Sequence, residues 1–187
     1  MRDYGTINGK KSELIGIVGY GEIGKETGTL AKGFGMKVQV YVRNLANKTL
    51  AEGITPVSFS DLLTTSDIIS IHVPLTDETR NLFSKQEFER MKETALLINT
   101  SRGGVINEKE LYKALRDRTI GGAAIDVYEK ERQYNTLFEL SNIVVTPHIG
   151  AMTQEAQEQI GLQIVKKIVK FFEPPANASE AIQSAMA

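Results

Sequence analysis

The 187-residue sequence contains no cysteine, which excludes disulfides, thiolate metal ligands and thiol catalysis. It has no excess of positive charge either, because 22 lysines and arginines stand against 23 acidic residues, so nothing favours nucleic acid as a partner. No apolar run is long enough to span a bilayer, and the first residues lack the apolar stretch of a signal peptide. We therefore expect a cytoplasmic protein that binds neither nucleic acid nor membrane and holds no metal.

Glycine is abundant where one apolar run ends. The run Leu14–Val18 stops at Gly19, and Gly21 and Gly24 complete the pattern G-x-G-x-x-G. A helical pattern follows, and the next β-like run is 37–41. Glycines between a strand and a helix within such a βαβ unit are typical of a dinucleotide-binding turn.

Each glycine of this turn has a predicted task. Gly19 lets the chain turn sharply off the strand, and Gly21 lets a diphosphate approach the backbone. Gly24, with Gly28 one turn later, lets the helix lie close to the sheet. The N-terminus of that helix then offers N–H groups and a partial positive charge to the phosphates.

Strands and helices alternate along the rest of the sequence. Strands are predicted at 14–19, 37–42, 53–57, 67–71, 95–99, 122–127 and 143–145, and helices at 22–32, within 58–66, at 85–92, after Asn107 and from Thr153 to Pro174. This alternation predicts an α/β protein of the Rossmann type, a doubly wound, mostly parallel sheet of about seven strands with helices on both faces. Residues 1–13 are expected to be an arm, 14–173 the dinucleotide-binding domain and 174–187 a loose tail. The apolar stripe of 160–172 belongs to a core or an interface.

Polar residues collect at the predicted carboxyl ends of the strands, where ligands bind in open parallel sheets. Besides the glycine turn, these are Val42-Arg43-Asn44, His72-Val73-Pro74, the run Asn99 to Gly104, Asp126 with Glu131 further on, and Pro147 to Gly150. Arg102, the acidic pair Asp126 and Glu131, and His148 are thus expected on the same rim.

Five stretches within this framework resemble one family. They are GYGEIG at 19–24, IHVPLTDETRNL at 71–82, LLINTSRGGVI at 96–106, GGAAIDVYEKE at 121–131 and TPHIGAMT at 146–153. In this order and spacing they resemble the cofactor-binding domain of the D-isomer-specific 2-hydroxyacid dehydrogenases. The resemblance implies an oxidoreductase that reduces 2-oxo acids by hydride transfer and acts on the CH–OH group of D-2-hydroxy acids.

The resemblance also implies three catalytic residues. His148 would exchange a proton with the substrate oxygen, Glu131 would orient the imidazole, and Arg102 would hold the substrate carboxylate. Without the resemblance, His148 reads as a structural histidine, Arg102 as a partner of a nearby carboxylate, and Glu131 as one member of a solvated charged run. Arg132 stands where the family usually has proline, so the resemblance does not extend to the turn after Glu131.

The cofactor residues implied by the resemblance and the glycine motif are Gly19, Gly21, Glu22, Ile23, Gly24, Val42, Arg43, Asn44, Val73, Pro74, Thr79, Thr100, Ser101, Arg102, Asp126, His148 and Gly150. A carboxylate at the end of the second strand, which marks NAD-specific sites, is missing from Val42-Arg43-Asn44. Arg43 can bind a 2′-phosphate instead. The sequence therefore favours NADP(H), with NAD(H) possible.

The family has a second, substrate-binding domain, formed mainly by sequence that precedes the glycine turn, and we expect that domain to be absent from these 187 residues. The chain alone is then expected to bind its cofactor and to turn over poorly. The family also implies a homodimer and a small 2-oxo or 2-hydroxy acid as substrate. One alternative remains, an NAD(P)H-sensing binding module without turnover.

Overall fold

The computed structural model describes residues 13–44 and 49–172. The strands in these ranges are β1 (Leu14–Val18), β2 (Lys37–Tyr41), β3 (Ile54–Pro56), β4 (Ile68–Ile71), β5 (Leu96–Asn99), β6 (Gly122–Ile125) and β7 (Ile143–Val145). The helices are α1 (Glu22–Gly33), α2 (Phe59–Thr65), α3 (Lys85–Arg90), α4 (Glu108–Arg116), α5 (Gln154–Phe172) and the short 3₁₀ helix Thr136–Glu139. Every predicted strand is confirmed within a residue or two.

All seven strands pair in parallel, in the order β3-β2-β1-β4-β5-β6-β7. β1 lies between β2 and β4, so that Gly16 is opposite Gln39 on one side and Ile69 on the other. The chain first moves outward from β1 to β3 and then returns to the other side of β1. Such a reversal opens a crevice at the carboxyl ends of β1 and β4. The predicted doubly wound Rossmann-type fold is confirmed.

Successive residues of β1 enter two different apolar clusters, one on each face of the sheet. Ile17 belongs to the smaller cluster together with Ala31 of α1. Val18 belongs to the larger cluster, which also contains Leu62 of α2 and Leu111 of α4. Helices therefore cover both faces of the sheet.

Side-chain caps begin three of the helices where the sequence predicts them. Ser58 Oγ accepts a hydrogen bond from Asp61 N at 3.0 Å, and Asn107 Oδ1 accepts one from Glu110 N at 3.2 Å. In α3, the backbone N–H of Ser84 donates to Glu87 Oε2 at 3.0 Å. Each cap satisfies an N–H or fixes the entry of the chain at a helix start.

The buried side of α1 consists of small residues rather than of the larger apolar ones in its pattern. Gly24, Gly28 and Ala31 are buried, whereas Ile23 and Leu30 are 68% and 63% exposed. A Cβ at Gly28 would lie 3.3 Å from side-chain atoms of β1 and β3, so the helix lies too close to the sheet for larger residues. The close approach predicted from Gly24 and Gly28 is confirmed.

The 3₁₀ helix Thr136–Glu139 is not among the predicted elements. Asn135 Oδ1 accepts from Leu137 N at 3.0 Å, and Asn135 Nδ2 donates to Glu108 Oε2 at 2.6 Å. Leu137 is fully buried in the larger cluster. A single turn held by one side chain is too short to produce a periodic sequence pattern.

The chain divides into two compact units, one ending at His148 and the other beginning at Ile149. The predicted domain 14–173 runs across this division, and α5 lies in the second unit. Thr153 Oγ1 accepts from Ala156 N at 3.1 Å, which confirms the predicted start of α5. No described residue of α5 is buried. Residues 1–12, the predicted tail and the predicted helix end at Pro174 lie outside the described residues.

Candidate active site

Two of the motif glycines are required by close backbone contacts. Gly19 has a φ of +93°, and a Cβ there would lie 2.6 Å from the carbonyl oxygen of His72. A Cβ at Gly24 would lie 2.3 Å from the carbonyl oxygen of Gly19. Neither position has room for a side chain. The predicted sharp turn between β1 and α1 is confirmed.

Gly21, the cap residue of α1, is surrounded by open space instead. A Cβ at Gly21 would meet none of the described atoms within 4 Å, and its φ of −83° suits any residue. Next to it, Glu22 and Ile23 are exposed, and Glu22 Oε1 lies 3.2 Å from Lys25 Nζ. Backbone N–H groups of the first helical turn point out of such an end. The surface at Gly21 therefore fits the diphosphate of a dinucleotide.

The end of β2 carries an exposed ion pair. Val42 packs partly buried against the smaller cluster, whereas Arg43 and Asn44 are exposed. Arg43 Nη1 lies 2.8 Å from Glu78 Oε2, and the two side chains are 70% and 67% exposed. This hydrogen bond raises the pKa of Arg43 and lowers the pKa of Glu78 from their ordinary values. The involvement of Glu78 was not predicted from the sequence.

The loop after β4 lies against the glycine turn. A Cβ at Gly19 would lie 2.8 Å from Val73 Cγ1, so Val73 is directly beside the turn. Thr79 Oγ1 donates to the carbonyl oxygen of Pro74 at 2.6 Å and closes the loop. His72 Nε2 lies 2.9 Å from Ser70 Oγ, and burial lowers the pKa of His72. At neutral pH His72 is therefore an uncharged residue of the strand end.

Asn99 shapes the loop that presents Arg102. Asn99 Oδ1 accepts from the backbone N and the Oγ of Ser101 at 3.0 and 2.7 Å, and its Nδ2 donates to the carbonyl oxygen of Arg102 at 3.1 Å. Asn99 is itself 1% exposed. The buried side chain of Asn99 therefore holds this turn, and Thr100 lies exposed at its tip. Arg102 and Thr100 are both exposed on the rim.

Gly103 brings this loop against the loop that follows β6. A Cβ at Gly103 would lie 1.8 Å from the carbonyl oxygen of Tyr128, which no larger residue can tolerate. Arg102 Nη1 donates to the carbonyl oxygen of Ser101 at 2.6 Å. The guanidinium of Arg102 therefore contacts its own loop, close in sequence to the point where the two loops meet.

The loops after β6 and β7 are tied together by buried polar groups. The Tyr128 hydroxyl donates to the carbonyl oxygens of Thr146 and Ile125 at 2.9 and 3.2 Å, and burial raises the pKa of Tyr128. The Thr146 hydroxyl donates to the carboxylate of Asp126, which is 5% exposed. These contacts fix Asp126 and the segment leading to His148 relative to each other.

Glu131 and His148 are in contact, as the family resemblance implies. His148 Nδ1 lies 3.1 Å from Glu131 Oε1, which also accepts from Tyr128 N at 3.2 Å. The side chain of His148 is 51% exposed and that of Glu131 is 40% exposed. The acidic residue in contact with the imidazole is thus Glu131 and not Glu129 of the same charged run. Arg102 reaches the same edge of the sheet but does not contact this pair within the described residues.

Gly150 belongs to the second unit, whereas the other predicted cofactor residues belong to the first. Within residues 13–44 and 49–172, no cluster of three or more histidines and carboxylates has the geometry to hold a metal ion. In the same ranges no helix is long and apolar enough to cross a membrane.

Three structural contributions to the site went unpredicted, those of Glu78, Asn99 and Gly103. Glu78 is distant in sequence from its partner Arg43, and no local pattern links such residues. Asn99 and Gly103 lie in a predicted strand-end stretch whose polar and glycine residues were the available signal.

Curated relatives with this sequence pattern are dehydrogenases and reductases. The chain is 46% identical over 165 residues to a glyoxylate reductase of Thermococcus litoralis, which covers 87% of the chain and 50% of the relative. It is 44% identical over 168 residues to the D-3-phosphoglycerate dehydrogenase of Escherichia coli, covering 86% of the chain and 40% of the relative. The chain thus spans half or less of these relatives' length.

Solved structures with the same fold carry related names. A glyoxylate reductase from Paecilomyes thermophila superposes with a TM-score of 0.78 at 34% identity, over 83% of the chain and 48% of that structure. An acyclic imino acid reductase in complex with NADPH and D-Arg has a TM-score of 0.78 at 33% identity, over 85% of the chain and 50% of that structure. The family described as D-isomer specific 2-hydroxyacid dehydrogenase, NAD binding domain, matches residues 3–150. With most of its length matched, the chain belongs to the D-isomer specific 2-hydroxyacid dehydrogenases, in their NAD-binding domain.

Proposed function

We propose that this chain forms the dinucleotide-binding and catalytic part of an oxidoreductase that interconverts 2-oxo acids and D-2-hydroxy acids. The observation that carries the proposal is the Glu131–His148 contact at the same edge of the sheet as the glycine turn. Membership in the 2-hydroxyacid dehydrogenases supports the reaction class. The alternative of a binding module without turnover has no support among the relatives.

The nicotinamide cofactor, when bound, supplies or accepts the hydride. The turn from Gly19 to Gly24 and the N-terminus of α1 would hold its diphosphate, since the space at Gly21 is open. The other residues proposed to line it are at the following strand ends, namely Val73, Pro74, Thr79, Thr100, Ser101 and Asp126.

His148 is the proposed general acid and base. Because Glu131 engages Nδ1, Nε2 is the nitrogen proposed to exchange a proton with the substrate oxygen. The hydrogen bond from Tyr128 N to Glu131 holds the carboxylate, which in turn orients the imidazole. Arg102 is proposed to bind the substrate carboxylate, because its planar guanidinium matches a carboxylate with two parallel hydrogen bonds.

Steady-state reduction of glyoxylate or hydroxypyruvate, by this sequence together with the substrate-binding domain that the family implies, tests these roles. His148→Asn is expected to lower kcat by about a hundredfold or more, the usual contribution of a general acid. Glu131→Gln should lower kcat less, because the imidazole keeps a hydrogen-bonding partner. Glu129→Gln is the matched control in the same charged run and is expected to leave kcat unchanged. Full activity in His148→Asn would contradict the proposal.

The 187-residue chain alone is expected to turn over slowly. Arg102 is exposed, and Glu131 and His148 are each at least 40% exposed, so water reaches the proposed site. Exclusion of water and positioning of the substrate contribute much of an enzyme's rate. Rapid reduction of a 2-oxo acid by this chain alone would contradict the expectation.

We further propose that the preferred cofactor is NADP(H). No carboxylate stands at Val42-Arg43-Asn44, and the exposed Arg43 can bind a 2′-phosphate. Calorimetric titration with NADPH and with NADH tests this choice. Arg43→Ala is expected to weaken NADPH binding by about tenfold and NADH binding little, the loss typical of one charged contact. Equal affinity for both dinucleotides in the unaltered chain would refute it.

We also propose a homodimer that uses α1. Leu30 of this helix and Phe34 at its C-cap lie four residues apart, form an apolar stripe on one side, and are 63% and 85% exposed. A second copy of the chain is the proposed occupant, since the same stripe on both copies forms a symmetric interface. Sedimentation should show a dimer for the chain and a monomer for Phe34→Glu.

The cytoplasmic location stays a prediction from the sequence.

A further inference from the structure

An ion pair joins the two loops that flank β1 at the carboxyl edge of the sheet. β2 and β4 both pair with β1, and Arg43 follows β2 whereas Glu78 follows β4. Arg43 Nη1 and Glu78 Oε2 are 2.8 Å apart. The bond therefore reaches from one side of the glycine-turn strand to the other, at the edge where the dinucleotide is proposed to bind.

Glu78 is held in place by its own loop. Thr76 Oγ1 donates to Glu78 Oε2 at 3.2 Å, and Thr76 N donates to Thr79 Oγ1 at 2.8 Å. Thr79 Oγ1 donates in turn to the carbonyl oxygen of Pro74 at 2.6 Å. The Glu78 carboxylate is thus held by a hydrogen-bonded turn that begins at the proposed cofactor-lining residue Pro74.

The partner of this carboxylate is the group proposed to recognise NADP(H). A guanidinium binds a carboxylate and a phosphate through the same planar set of N–H donors, so the two anions compete for it. A phosphate that reaches Arg43 also comes close to the charge of Glu78 and is repelled by it. The ribose 2′-hydroxyl of NAD(H) carries no charge and meets neither penalty.

We propose that Glu78 is a cofactor-specificity residue, whose carboxylate competes with the 2′-phosphate of NADP(H) for Arg43 and so narrows the preference for NADP(H) over NAD(H). This inference rests on the proposed binding of the 2′-phosphate by Arg43. Because both side chains are exposed, the competition is moderate, and salt weakens it.

The test is titration of the chain with NADPH and with NADH at low ionic strength, before and after Glu78→Gln. We expect the variant to bind NADPH about three- to tenfold more tightly, the size of one exposed charge interaction with a doubly charged group. NADH affinity is expected to stay the same or to fall. Glu89→Gln is the matched control, because Glu89 forms a similarly exposed ion pair with Lys85 on α3, and it should change neither affinity. Unchanged or weaker NADPH binding in Glu78→Gln would overturn the inference.

Arg43→Ala separates this inference from the proposal on which it rests. If Arg43→Ala binds NADPH as well as the unaltered chain does, the assignment of the phosphate to Arg43 fails. If Arg43→Ala weakens NADPH binding and Glu78→Gln does not strengthen it, only the role of Glu78 fails. In the Arg43→Ala background, Glu78→Gln should give less than half of its gain, and an undiminished gain would overturn competition for the guanidinium.

Discussion

Two residues at the Glu131–His148 contact adopt a left-handed backbone. Arg132 has a φ of +58° and His148 a φ of +57°. This conformation costs a residue with a Cβ about 1 kcal/mol or more. Arg132 directly follows Glu131, and His148 is itself the other partner of the contact. A left-handed residue therefore lies at or next to each partner. Proline, which the resemblance implies at this position, cannot adopt a positive φ.

Arg132→Gly should stabilise the fold. Glycine adopts positive φ without the steric cost, so the free energy of unfolding is expected to rise by about 0.5–1 kcal/mol. Lys130→Gly is the control in the same loop, because Lys130 has no positive φ to relieve and glycine only loosens the unfolded chain. Urea denaturation measures both. A loss of stability in Arg132→Gly equal to that in Lys130→Gly would contradict the strain.

His72 makes stability depend on pH. Burial lowers its pKa below the ordinary value of 6.5. Between the lowered pKa and 6.5 the unfolded chain binds a proton that the folded chain does not. The free energy of unfolding therefore has its full value above pH 6.5, as far as His72 contributes to it. It falls as the pH decreases from 6.5 to the lowered pKa.

His72→Gln removes this titration and retains a hydrogen-bonding group for Ser70. Urea unfolding at about pH 5.5 and about pH 7.5 should show a smaller difference between the two conditions in this variant. His148→Gln replaces the only other histidine of the sequence and leaves His72 in place. The same pH difference in His72→Gln as in the unaltered chain would be evidence against a buried, neutral His72.

At the scale of elements, the apolar periodicity of a helix does not say what covers it. In α1 the buried side is Gly24, Gly28 and Ala31, because a helix this close to the sheet leaves room only for small residues. The larger Ile23 and Leu30 face outward. In α5 a regular stripe is exposed throughout the described residues. The sequence pattern predicted α1, the start of α5 and, through its glycines, the close approach of α1 to the sheet, but it did not indicate that Ile23 and Leu30 are exposed.

Burial of the apolar residues differs between α4 and α5, and a matched pair of truncations tests this difference. Leu111 of α4 is fully buried, whereas Ile164 of α5 is 51% exposed. Leu111→Ala is expected to lower the free energy of unfolding by about 2–5 kcal/mol, because it leaves a cavity in the larger cluster. Ile164→Ala should cost less than about 1 kcal/mol. Urea denaturation curves compare the two, and equal losses would place the α5 stripe in a core.

For the whole molecule, the seven strands and their parallel pairing could be predicted because each buried strand is a continuous apolar run bounded by helices. The Glu131–His148 contact could be predicted from the resemblance, since the loops that carry the two residues follow neighbouring strands β6 and β7. The Arg43–Glu78 pair could not. It joins loops after β2 and β4, which are brought together only by the return of the chain across β1.

Titration of the unaltered chain and of Gly21→Ala with NADPH and with NADH is the most direct test of a dinucleotide site at the glycine turn. Gly21 has open space at its Cβ and an ordinary φ, so alanine there should leave the free energy of unfolding unchanged within about 0.5 kcal/mol. We expect the unaltered chain to bind a dinucleotide and Gly21→Ala to weaken this binding by about tenfold or more, because its methyl group blocks the approach of the diphosphate. Binding of neither dinucleotide by the unaltered chain, or equal binding by Gly21→Ala, would contradict a dinucleotide site at the glycine turn.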